Sequence, residues 1–239
     1  MGLIGHFKAN TGVTLVGGKV SAWADQSGNS NDLEQTVDAA RPLFVASGFN
    51  GHPTLRFSGA QELVGTSSSI LQIAGIFATI AVACIPNTGS TISMVAKRNG
   101  EDGYLLRILS NTRASVHWTE NSDRRYAVQS SVLSNDGVFT IYHADVHSSI
   151  SPFRNIYIDG VLDNDVNINE QVPSNLATST IPRIGSNEGG SFFDGDIFEI
   201  KIYEDQLVDK TVMFDDLNVY STPLNTAPTG SYNSVIQRA

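Results

Sequence analysis

Hydrophobic and polar positions alternate along most of this chain in short runs, interrupted by clusters of Gly, Asn, Asp and Ser. A period of two sends successive side chains to opposite faces of an extended backbone, so the runs predict strands. Residues 52–59, HPTLRFSG, set Leu55 and Phe57 against polar neighbours, and residues 103–109, 114–118, 137–146, 154–160 and 196–203 repeat the pattern. Residues 75–85, GIFATIAVACI, are apolar at nearly every position and predict a strand covered on both faces. Asp159-Gly160 within NIYIDGVL marks a type I′ hairpin turn. Strands at this spacing indicate a sandwich or barrel rather than alternating βαβ units.

Two regions depart from the pattern. Residues 205–220 place Leu207, Val208, Val212, Leu217 and Val219 near helical intervals, with Asp205 as the expected N-cap. Residues 221–239 are rich in Ser, Thr, Asn and Pro and carry few large apolar groups, so they predict an extended tail with no core of its own. The expected organisation is one domain over residues 1–220 and a tail over residues 221–239, expected to be held by another chain.

The 239 residues suffice for one large β-domain, and the net charge of −9 argues against a phosphate-backbone partner. Nucleic acid is therefore not an expected ligand. Cys84 is the single cysteine, so no intrachain disulfide forms, and its apolar neighbours predict a buried, inert thiol. One cysteine and five scattered histidines make no zinc spacing. The N-terminal MGLIGHFKAN has no basic region followed by an apolar run, and no apolar stretch of about 20 residues predicts a membrane span.

The segments KVSAWADQSGNSNDLEQ (19–35), RPLF (41–44), NGHPTLRFSG (50–59), NIYIDG (155–160) and RIGSNEGGSFFDGDIFEIKIYEDQL (183–207) follow one another in that order. Together they resemble the laminin-G-like, concanavalin-A-like jelly-roll domains of bacterial and phage proteins. The resemblance runs from about residue 3 to residue 220. Its most specific parts are Trp23–Asn29 and Phe193–Tyr203. It implies an all-β fold, a two-sheet antiparallel jelly-roll sandwich, here with a short C-terminal helix and an extended tail. It further implies a mostly non-catalytic module that binds glycans or proteins, often in a virion.

Within this frame Trp23 is expected in the core. Asp25, Ser27, Gly28 and Asn29 are expected to form a turn, the alternative being calcium ligation together with Asp32. No other cofactor is expected.

Residues 192–205, FFDGDIFEIKIYED, carry Asp194, Asp196 and Glu199 in a spacing similar to the acidic strand of glucanases, which has Glu at the outer positions where this chain begins with Asp. Strand parity sends Phe198, Ile200 and Ile202 inward with Asp196, and Glu199 to the other face. Asp196 and Glu199 then cannot flank one glycosidic bond, and Gly195 reads as a turn rather than a cleft wall. A β-bulge between 196 and 199 would reverse that reading. His143 and Asp145 are expected on a solvated strand face. Phe193 is expected in the core, leaving Phe192 freer.

The polar and aromatic loop of residues 115–128 supplies the candidate ligand residues Trp118, Glu120, Arg124, Arg125 and Tyr126. Aromatic faces stack on sugars and planar polar groups bond hydroxyls. The alternative is a hairpin whose Val116 and Trp118 face the core. The expected function is a non-enzymatic virion component of phage type, serving in capsid decoration or in a tail or fibre, and able to bind host-surface glycans. Its tail would engage other virion proteins in an oligomer or larger assembly, and the protein would reside in the virion or be extracellular after lysis. The alternatives are a free carbohydrate-binding module and a glycan-cleaving β-sandwich enzyme.

Overall fold

The computed structural model describes residues 2–74, 77–98, 102–119, 127–146, 154–163, 166–167, 178–188, 190–205 and 208–224. Its strands are β1 (Leu3–Lys8), β2 (Val13–Val16), β3 (Lys19–Trp23), β4 (Leu33–Glu34), β5 (Leu43–Val45), β6 (Thr54–Ser58), β7 (Leu63–Gly65), β8 (Ala78–Pro86) and β9 (Ile92–Arg98). There follow β10 (Gly103–Ile108), β11 (Arg113–Thr119), β12 (Ala127–Leu133), β13 (Thr140–Val146), β14 (Arg154–Ile158), β15 (Val161–Leu162), β16 (Val166–Asn167), β17 (Arg183–Ile184) and β18 (Asp194–Glu204), and then helix α1 (Lys210–Leu217).

All pairings are antiparallel and build two layers. In the first, β18 is central. One of its edges pairs β8, and the order continues through β13 and β14 to β15. Its other edge pairs β6 along Asp194–Ile197 and β1 further on, with β5 outside β6. The second layer runs β4, β7, β17, β9, β10, β11, β12, β16. Strand β3 pairs both β4 and β5 and joins the layers at one side.

The layers meet through one core. Phe57, Ile80, Val82, Tyr142, Ile200 and Ile202 from the first pack with Met94, Tyr104, Leu106, Val116, Trp118 and Ile184 from the second. Trp23 lies in this core, as its apolar setting indicates, and donates from Nε1 to the Lys8 carbonyl at 2.8 Å. The result is the antiparallel sandwich that the family resemblance implies, and one of the two architectures, sandwich or barrel, that the alternation allows.

A second apolar cluster lies on the outward face of the first layer. Ala81, Ala83, Ile141 and Phe198 there are covered by Met213 and Leu217 of α1 and by Tyr220 of the 3-10 turn Asn218–Ser221. Strand β8 is thus covered on both sides, which explains its continuous apolar run. Cys84 on the same strand is fully buried, and burial raises its thiol pKa well above the ordinary range. The 158–161 hairpin has φ of 49° at Asp159 and 77° at Gly160, the two positive values of a type I′ turn.

The helix starts later than expected. Its N-cap is Asp209, which accepts from the backbone N–H of Thr211 at 2.8 Å and of Val212 at 3.3 Å. β18 continues to Glu204, so Asp205 belongs to the exit from the strand. Val212 and Val219 are exposed, and Met213 and Tyr220 take the buried positions instead. Beyond the helix, Asn50 donates to the carbonyls of Tyr220 and Ser221, and His52 Nε2 lies 2.8 Å from the Thr222 carbonyl. Residues 221–224 thereby lie against the 49–52 turn. Residues 225–239, most of the expected partner-binding tail, lie outside the described residues.

Candidate functional site

Strand β18 decides what its three acidic residues can do. It pairs β8 regularly up to Ile197 opposite Cys84 and resumes with Glu199 opposite Ala83, so Phe198 is the extra residue of a β-bulge. A bulge shifts parity by one. Ile197, Ile200 and Ile202 therefore face the main core, whereas Phe198 joins the outer cluster. This corrects the expected inward trio of Phe198, Ile200 and Ile202. It also corrects the expected separation of the carboxylates. Asp196 stands opposite Ile85 and Glu199 opposite Ala83, two positions of the same parity on β8, so both look outward. Gly195 lies inside the strand rather than in a turn. A Cβ there would sit 2.2 Å from the Ile85 carbonyl oxygen, and its φ is +133°, so only glycine permits this approach of β18 to β8.

Glu199 is nevertheless sealed, with 1% of its surface exposed. His6 Nε2 on β1 lies 2.7 Å from Glu199 Oε1, the Tyr220 hydroxyl donates to Glu199 Oε2, and Lys201 Nζ lies 3.3 Å away. Burial pushes this carboxyl up, but the bonds to His6 and Tyr220 and the charges of Lys201 and Lys8 outweigh it and leave it below its ordinary value. Burial lowers the Lys201 ammonium, which also contacts Asp216 of α1. Helix and 3-10 turn thus close over Glu199 with apolar contacts and paired charges together.

Asp194 and Asp196 have a different setting. They line an open cleft of about 400 Å³ together with Arg56, Phe57, Ser58, Ile85, Asn87 and Gly195. Arg56 is the cross-strand neighbour of Asp196 on β6 and grips it through two bonds, Nε to Oδ1 and Nη2 to Oδ2, each 2.8 Å. The Asp196 carboxylate raises the Arg56 pKa, chiefly through these bonds. Asn87 donates from Nδ2 to Asp194 Oδ1 at 2.7 Å. The cleft therefore presents fixed planar hydrogen-bonding groups beside an apolar side chain, Ile85.

The loop singled out from the sequence does not supply this site. Trp118 is fully buried in the main core, so its ring is unavailable for stacking on a ligand; the hairpin alternative is the one adopted for Val116 and Trp118. Glu120, Arg124, Arg125 and Tyr126 lie outside the described residues. Arg56 and Asn87 were missed. The only signal for Arg56 was its outward place in the Leu55-Arg56-Phe57 alternation, and its partner is 140 residues away in sequence.

Other polar candidates prove structural. Asp25 accepts from His6 N, Ser27 N, Ser27 Oγ and Asn31 N, and Asp32 accepts from Asp25 N, which forms the expected turn and ties it to β1. His143 and Asp145 are buried rather than solvated: His143 Nε2 lies 2.7 Å from Asp145 Oδ1, which also accepts from Thr79 Oγ1 at 2.7 Å. They lie on the outward face of the first layer, where Val208, leading into α1, donates to Thr79 Oγ1. Phe193 is in the core against Phe57, and Phe192 is partly exposed.

Residues 78–213 match a family described as the concanavalin A-like lectin/glucanases superfamily. No curated protein matches the sequence. Among solved structures, the chain is similar to the binding domain of Paraclostridial Mosquitocidal Protein 1, at a TM-score of 0.61 and 12% identity, covering 91% of this chain and 52% of that one. It thus spans about half the length of that structure. It is also similar to domain 4 of AbnA, a GH43 extracellular arabinanase from Geobacillus stearothermophilus in complex with arabinotriose, at a TM-score of 0.60 and 15% identity, covering 89% and 97%. A third similarity is to the CBM40 of the Ruminococcus gnavus IT-sialidase bound to α2,3-sialyllactose, at a TM-score of 0.52 and 10% identity, covering 69% and 96%. At these identities the similarities concern the fold alone. With the family match extending over more than half of its length, this chain belongs to the concanavalin A-like lectin/glucanases superfamily.

Proposed function

We propose that this chain is a non-catalytic glycan-binding module whose ligand sits in the cleft at the start of β18. The observation that carries the reading is the set of fixed planar polar groups, Arg56, Asn87, Asp194 and Asp196, lining an open cleft on a lectin-type sandwich. Such groups match sugar hydroxyls, which donate and accept at once. The solved structures in complex with arabinotriose and with α2,3-sialyllactose support glycan binding as the class of activity. The non-catalytic part rests on β18 itself. Glycoside hydrolysis needs two carboxyl groups free to act on one bond. Here Glu199 is sealed under Tyr220 and Asp196 is held by Arg56.

A glycan array followed by titration calorimetry tests this reading. Binding is expected to weaken at least about tenfold in Arg56→Met with thermal unfolding nearly unchanged, a loss of about 1.4 kcal/mol. Absence of binding across a broad array overturns it. Release of new reducing ends from oligosaccharides, abolished by Asp196→Asn, overturns the non-catalytic part.

The same reading extends to a virion role of phage type, with the module decorating a capsid or forming part of a tail or fibre and other virion proteins engaged through residues 221–239. The polar, Pro-containing composition of that tail supports it. Removing residues 225–239 should abolish incorporation into particles while leaving glycan binding intact; a native protein recovered only as a free monomer overturns it.

A further inference from the structure

Building on the glycan-binding reading of this cleft, we infer that it selects neutral, polyhydroxylated glycans and rejects acidic ones. The lining holds two carboxylates, Asp194 and Asp196, against one guanidinium, Arg56. An Arg grips an incoming carboxylate best through its two-pronged edge. The Nε/Nη2 edge of Arg56 is already taken by Asp196, at 2.8 Å for each bond, and the Asp196 carboxylate neutralises the charge behind the remaining Nη1/Nη2 edge. A sialic or uronic acid would therefore meet a cation that is already paired, and beside it the second carboxylate, Asp194.

A hydroxyl meets the opposite situation. Asp194 Oδ1 takes the Asn87 amide at 2.7 Å, whereas its Oδ2 accepts from none of the described residues and is available to a hydroxyl donor. Arg56 Nη1 makes no bond to Asp196 and remains a donor for a hydroxyl or ring oxygen. Ser58 and Ile85 complete the lining with a further hydroxyl and an apolar contact for ring carbons. The net charge of −9 adds a long-range field of the same sign and slows the approach of anionic ligands.

The experiment is calorimetric titration of the full chain at low ionic strength with a panel of neutral oligosaccharides that includes arabinotriose, and with α2,3-sialyllactose as the acidic probe. A neutral ligand is expected to bind at least about tenfold more tightly than the acidic one, consistent with the loss of one well-placed charged contact. Asp194→Asn is expected to weaken the neutral ligand and narrow the difference between the probes. Asn87→Ala, which frees Asp194 to turn away, is expected to weaken the neutral ligand without narrowing it. Thermal unfolding of each variant verifies folding. Tighter binding of sialyllactose that is lost in Arg56→Met overturns the neutral class and leaves the glycan-binding reading standing. Neutral binding unchanged in both Asp194→Asn and Asn87→Ala places the ligand elsewhere and also overturns the inference. No binding of any probe overturns the glycan-binding reading itself.

Discussion

Asp196 and Glu199 lie three residues apart on one strand and, because of the Phe198 bulge, on one face, yet their surroundings are opposite. Asp196 lines an open cleft; its own side chain is only 11% exposed, but the Arg56 side chain that holds it is 48% exposed. Glu199 has lost its water and has instead His6, Tyr220 and Lys201. The difference lies in what covers them, since the C-terminal 3-10 turn brings Tyr220 over Glu199 and stops short of Asp196. An exposed ion pair is screened and contributes little, whereas a sealed one is costly to break because the remaining partners stay desolvated. The same strand thus serves as cleft wall at one end and as anchor for the helix at the other.

The strongest test of this contrast is Glu199→Ala. It leaves buried Lys201 with Asp216 as its one remaining carboxylate partner among the described residues and removes the acceptor of the Tyr220 hydroxyl, so denaturant unfolding should show a loss of about 3 kcal/mol. Glu199→Gln isolates the pH component. The folded carboxyl lies below its ordinary value of 4.5, so its contribution is complete above about pH 4.5 and disappears as pH falls through the lower folded value. The acid limb of wild-type stability should therefore flatten in Glu199→Gln; an unchanged acid limb breaks the comparison.

A buried cation that pairs with no carboxylate among the described residues sharpens it. Lys97, fully buried on β9, donates to the carbonyls of Ser68 at 2.6 Å and Thr180 at 2.7 Å, and burial lowers its pKa to about 8. The unfolded chain, near the ordinary 10.5, then binds more protons between those values, so stability should rise with pH from about 8 to 10.5. The rise should approach about 2–3 kcal/mol and vanish in Lys97→Met.

The smallest effect is expected at the open end. Arg56→Met should cost under about 1 kcal/mol of stability, because the Arg56 side chain is half in water and the Asp196 carboxylate it leaves lines the open cleft. A loss as large as that of Glu199→Ala would mean that the cleft end of β18 is as much a structural anchor as the sealed end.

Much of the sandwich was legible in local pattern. The unbroken apolar run of β8, the alternation of Leu55 and Phe57 and the Asp159-Gly160 turn each act through their own neighbours, and each appears where the pattern puts it. Strands of two or three residues such as β4, β5 and β17 were not legible, since they hold too few positions to show a period. The Trp118 expectation failed because the polar residues beyond it resemble a ligand loop, whereas the alternation Val116-His117-Trp118 already sends both apolar side chains inward.

The order of apolar and polar residues, by itself, limited this chain to a β-sandwich or barrel with a helix near its end, because burial of a period-two pattern has few solutions, and the family resemblance of its motifs selected the two-layer sandwich. Only the tertiary structure decided which acidic residues line the open cleft and which is sealed. One extra residue at Phe198 reverses every face before it relative to those after it, and partners as distant in sequence as Arg56, His6 and Tyr220 converge on β18 only when the layers have assembled.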